Sequence, residues 1–88
     1  MNLGIETETL EFKKSTGELK EAMNSISAIL NKHQHGELYF GVKPDGTVIG
    51  QVVTEDSLRE VSQKIKNSIE PKIYPEVKKV VMDGRDCI

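Results

Sequence analysis

Glu37-Leu38-Tyr39-Phe40-Gly41-Val42 decides how the rest of the chain is read. The run is almost wholly apolar and aromatic, which predicts a central strand buried on both faces. Pro44-Asp45-Gly46 follows as a turn, since proline presets φ and glycine accepts positive φ. Thr47-Val48-Ile49-Gly50 then returns as the partner strand of a hairpin.

Upstream, Leu19, Ala22, Met23, Ile26, Ile29 and Leu30 recur at the spacing of one helical face, which predicts a helix over residues 16–31. Ser15 and Glu18 have capping-box spacing, a hydroxyl followed three positions later by a carboxylate that reaches back. Before it, residues 9–13 form a short strand with Leu10 and Phe12 on one face. Downstream, Thr54 caps a second helix running to about Ser68, with Glu55 and Asp56 at its positive end. Leu58, Val61, Ile65 and Ile69 line one side of it, while Glu55–Arg59 and Glu60–Lys64 have the favourable i,i+4 order. Pro71 ends this helix, because the residue before a proline is pushed out of the α region. Residues 76–82 read as a strand, 83–86 as a turn, and Cys87-Ile88 as the start of a further element. The expectation is an α+β domain over residues 1–88, a small mixed sheet with two helices in the order β-α-β-β-α-β. The unfinished last hairpin predicts truncation before the final strands.

Composition bounds the function. At 88 residues there is room for one core, and 36% hydrophobic with 30% charged residues fits an ordinary folded domain. No apolar run is long enough to cross a bilayer, and the first residues lack the basic start and apolar stretch of a signal peptide. The single cysteine, Cys87, cannot close an internal disulfide, which points to a reducing, cytoplasmic setting. A net charge of −2 excludes a uniformly basic nucleic-acid coat, so any polyanion surface must be a local patch.

Lys13 and Lys14 supply such a patch where the first strand leads into a helix N-terminus, whose free N–H groups suit a phosphate, and Lys43 on the hairpin adds to it. Lys78 and Lys79 lie farther along. Gly36 and Gly41 have P-loop spacing, but Val42-Lys43 follows instead of Lys-Ser/Thr and strand formers lie between, so ATP binding has no support. His33, His35 and Cys87 read as loop and terminal residues rather than a metal site. Ser15 and Ser27 serve capping and helix packing, and Tyr39 and Phe40 belong to the core rather than to base stacking.

Two stretches resemble a known family. Glu6-Thr7-Glu8-Thr9-Leu10-Glu11-Phe12-Lys13 is similar to the E-x-x-x-x-E-F-K box of the Schlafen and Alba-like DNA-binding family, some members of which are labelled divergent AAA ATPases. Ile26 to Asn31, continued by Gly36 to Val42, resembles its second box, and Asp45 to Gly50 its D-G-x-V-x-G hairpin. His35 stands where the family has the first glycine of a pair, and Lys43-Pro44 where an acid often follows.

The resemblance implies nucleic-acid association, often in bacterial regulators, and a fold that continues into further strands. For Schlafen relatives it also implies metal-dependent RNA cleavage by three carboxylates. Glu6 and Glu11 map onto two of these, and Asp45 is the nearby third acid. Residues five apart in a regular strand face opposite ways, so Glu6 and Glu11 converge only if the chain bends between them.

The leading expectation is therefore a nucleic-acid-binding module of a bacterial-type transcriptional regulator, contacting DNA or RNA phosphates through Lys13, Lys14 and Lys43, without a cofactor and without catalysis. The alternatives are an Mg²⁺- or Mn²⁺-dependent ribonuclease using Glu6, Glu11 and Asp45, and a protein-interaction unit that self-associates through a free sheet edge.

Overall fold

The computed structural model describes residues 2–69 and 75–88. Its elements are β1 (Leu10–Lys13), a 3₁₀ turn (Thr16–Glu18), α1 (Leu19–Lys32), β2 (Glu37–Phe40), α2 (Glu55–Ser68), β3 (Val80–Met82) and β4 (Arg85–Cys87). Helices and short strands together place it in the α+β class.

β1 and β2 pair in parallel, with Phe12 opposite Tyr39 and Lys13 opposite Phe40, and α1 makes the crossover between them. β3 and β4 form an antiparallel hairpin closed by Asp83-Gly84, both at positive φ. The ladders are joined beyond the named strands. Phe40 and Ile88 exchange both backbone bonds, N–H to O at 2.8 and 3.2 Å. The spatial order is thus β1-β2-β4-β3, and β2 is flanked on both sides as its composition predicts.

Each face of this sheet has its own core. On one, Leu19, Ala22, Met23, Ile26 and Ile29 of α1 and Val61 and Ile65 of α2 pack on Phe40 and Ile88. On the other, Phe12, Val42, Val48 and Cys87 gather with Leu3, Leu10, Tyr39 and Met82. Phe12 and Phe40 are each 1% exposed, one for each face. Burial of a side chain of that size contributes about 1.5–3 kcal/mol, which is how four-residue strands hold together.

Several local expectations shift. The Ser15–Glu18 capping box does not close: Ser15 Oγ accepts from Gly17 N at 3.1 Å, and Glu18 Oε1 from Lys14 N at 2.9 Å. The result is a 3₁₀ turn ahead of an α-helix that begins only at Leu19. The return of the first hairpin is reduced to a Val42–Val48 bridge, with Lys43 N–H bonded to Thr47 O at 2.9 Å, and Asn2 of the N-terminal arm also bridges Thr47. The order of regular elements is consequently β-α-β-α-β-β. The strand expected over residues 76–82 begins at Val80. Thr54 does cap α2, in a reciprocal box with Ser57. Arg59 bonds Asp56 at 3.1 Å rather than Glu55. Pro71, assigned to the end of α2, lies outside the described residues. Among the described residues, no helix is long and apolar enough to cross a membrane.

Candidate nucleic-acid interface

The parallel pairing of β1 and β2 brings the two lysine-bearing segments together. Lys13 O accepts from Gly41 N at 2.8 Å and from Val42 N at 3.1 Å. Lys14 and Lys43 are therefore the residues that follow the adjoining C-terminal ends of two neighbouring strands. Both are exposed, and neither makes an ion pair among the described residues.

Lys13 is held differently. Its Nζ lies 3.3 Å from Glu11 Oε2, and its side chain is only 16% exposed. An ammonium already neutralised, on a side chain mostly covered, has little left for a phosphate. Lys78 is likewise paired, 2.8 Å from Glu76.

The helix N-terminus offers less than its sequence suggests. The N–H groups of Lys14, Thr16, Gly17 and Glu18 are taken by Glu18 Oε1, Gln51 Oε1, Ser15 Oγ and Ser15 O respectively. These donors answer to the protein's own acceptors, so side-chain ammonium groups remain to meet a polyanion. The Gln51 clamp could not be foreseen, since nothing in the sequence pairs it with Thr16.

The acidic residues gather on the other side of β1. Thr7 and Leu10 bridge antiparallel, N–H to O at 3.0 and 3.4 Å, with Thr9 N bonded to Thr7 Oγ1 at 3.2 Å. This tight turn is the bend that convergence requires. Its register sets Glu6 opposite Glu11, and Glu6 Oε2 also accepts the Phe12 N–H at 3.0 Å. Burial pushes the Glu11 carboxyl up, and the hydrogen bond and charge of Glu6 add to that, while Lys13 opposes both.

Asp45 does not join them. Its carboxylate caps the Thr47 N–H at 2.9 Å, which, with the Thr47 side chain and the charge of Lys43, holds it below the usual carboxylate range. Among the described residues, no group of three or more His, Cys, Asp or Glu side chains gathers as a metal centre would.

Tyr39 and Phe40 serve the fold. The Tyr39 ring packs 6.3 Å from that of Phe12, tilted by 54°, and its OH donates to Glu37 Oε2 at 3.1 Å. Burial first, and then the Glu37 carboxylate, raise the Tyr39 pKa. His33 Nε2 sits 3.3 Å from Glu8 Oε2, outside hydrogen-bond alignment, a contact that no motif or spacing announces.

A model of the family described as Schlafen, AlbA_2 matches residues 6–88, beginning at the first carboxylate of this cluster. The chain belongs to that family. No curated protein and no solved structure matches it in the same comparisons. As a Schlafen, AlbA_2 domain, it carries the Glu6–Glu11–Lys13 box on one edge of β1 and its free lysines at the strand ends.

Proposed function

We propose that this Schlafen, AlbA_2 domain binds nucleic acid, as a module of a bacterial-type transcriptional regulator. Lys14 and Lys43 supply the phosphate contacts, while Lys13 stays paired with Glu11. The observation that carries the reading is the juxtaposition of the two exposed lysines at the meeting ends of β1 and β2, fixed by the bonds from Gly41 and Val42 to Lys13. Contacts of this kind position a backbone without reading its sequence, and the affinity falls with salt.

Fluorescence anisotropy with labelled duplex DNA and single-stranded RNA tests it. Binding at low salt that the Lys14→Gln/Lys43→Gln variant loses is the expected result. Wild-type and variant chains that bind equally, or a folded wild type that binds neither ligand, would reject it.

A second reading, metal-dependent RNA cleavage, is favoured by the meeting of Glu6 and Glu11. Mg²⁺ or Mn²⁺ prefers a full set of oxygen ligands. Among the described residues two carboxylates converge without a third, and the Lys13 ammonium already lies against Glu11. The described residues do not complete such a centre. Incubating the chain with structured RNA and Mn²⁺, beside Glu11→Gln, separates the readings: cleavage abolished by the substitution would move the assignment to a nuclease.

A further inference from the structure

The turn that carries Lys43 is moored to the N-terminal arm rather than to the sheet. Its own bonds fix its shape. Lys43 N–H donates to Thr47 O at 2.9 Å, Gly46 N–H to Lys43 O at 2.8 Å, and Thr47 N–H to Asp45 Oδ1 at 2.9 Å. Among the described residues, every hydrogen bond that residues 43–47 make outside the turn goes to the arm. Leu3 N–H donates to Gly46 O at 2.8 Å, Asn2 Nδ2 donates to Asp45 O at 3.2 Å, and Asn2 bridges Thr47. Asn2 Oδ1 accepts the Gly4 N–H at 2.7 Å, which folds the arm onto the turn. Gly46, at φ +91°, permits the close approach, since a Cβ there would run into Gly4 O. Leu3 packs beneath, against the core of Phe12, Val42, Val48 and Cys87.

The other end of the arm is tied to β1. Glu6 Oε2 accepts the Phe12 N–H at 3.0 Å, and Thr7 bridges Leu10. One short segment thus joins the Lys43 turn to the strand that leads into Lys14. Its turn-binding residues 2–4 precede the stretch matched by the family, residues 6–88. We propose that residues 2–7 are a strap that positions Lys43 beside Lys14, so that both ammonium groups meet one polyanion backbone. The strap deepens the nucleic-acid reading and rests on it. A turn of fixed shape without a mooring swings about the Val42–Val48 bridge, and its lysine then pays an ordering cost at each contact. Asn2 and Leu3 are positioning residues that act through the turn.

The test combines Asn2→Ala/Leu3→Ala with Lys43→Gln in the 88-residue chain. By amide NMR relaxation, Asp45, Gly46 and Thr47 should fall from order parameters of about 0.85 to below about 0.6 in the strap variant. In anisotropy titrations of a labelled duplex, the strap variant should flatten the salt slope by about 0.9, the share of one lysine. On the Lys43→Gln background it should add nothing. A turn as rigid in the variant as in the wild type overturns the proposal, whether or not nucleic acid binds. Equal flattening in both backgrounds, the mark of a general loss of structure, overturns it too, as does no flattening in either. A wild type that binds no nucleic acid while the variant turn loosens rejects the phosphate reading and upholds the mooring. Should the double variant lose the wild-type circular dichroism spectrum, Asn2→Ala alone, which leaves Leu3 packed, takes its place.

Discussion

Removing Lys14 and Lys43 should flatten the salt dependence of nucleic-acid binding by a calculable amount. Each phosphate neutralised on duplex DNA contributes about −0.9 to the slope of log K against log salt. Two free ammonium groups therefore account for about −1.8, or about twelvefold in affinity between about 50 and about 200 mM salt. Lys13 is the internal control. With its Nζ held 3.3 Å from Glu11, Lys13→Gln should leave the slope unchanged. Anisotropy titrations of a labelled duplex at several salt concentrations measure all three slopes. Both free lysines are exposed, so Lys14→Gln/Lys43→Gln should keep the circular dichroism spectrum of the wild type. A double variant with the wild-type slope would refute the reasoning, as would a Lys13→Gln variant that flattens it equally.

Other consequences are open to measurement. Gly41 has φ of +97°, and a Cβ there would sit 3.1 Å from Cys87 Sγ and 3.2 Å from Gly50 Cα, so Gly41→Ala should cost about 1–3 kcal/mol by urea denaturation. An unchanged midpoint would show that the backbone relaxes. Glu11 keeps its proton to higher pH in the folded chain than in the unfolded one. Stability should therefore fall as pH rises from the ordinary value of 4.5 through the raised one, and Glu11→Gln should remove that fall. Parallel wild-type and variant curves of stability against pH would contradict this. Thr54→Ala opens the box with Ser57 and should cost about 1 kcal/mol, read as a drop in melting temperature. No shift would mean that water replaces the cap.

Periodicity carried the sequence reading furthest. The α1 stripe from Leu19 to Ile29 is buried as spaced, and Tyr39 and Phe40 send their rings to opposite faces of a doubly covered strand. What escaped were backbone bonds that spacing does not show. Ser15 and Glu18 have box spacing, but the Glu18 N–H closes a 3₁₀ turn on Ser15 O, and the two side chains bond Gly17 N and Lys14 N instead. Thr47 has strand chemistry, yet the hairpin keeps a single bridge, Val42–Val48, while Asn2 bridges Thr47. At the site, a pairing of Glu11 with a lysine was legible, since strand alternation sets Glu11 and Lys13 on one face of β1, and it separates this neutralised lysine from Lys14 and Lys43.

The Phe40–Ile88 exchange also sets an order of assembly. β1, α1 and β2 are consecutive, and their pairing of Leu10 with Glu37 closes a shorter stretch of chain than that of Phe40 with Ile88, the kind that forms earlier. The bond to Ile88 must wait until α2 has settled, since that helix lies between its partners in the chain. Substitutions in α1 should therefore slow refolding, whereas those around Ile88 should chiefly speed unfolding, leaving the C-terminal hairpin as the late-closing clasp of the domain.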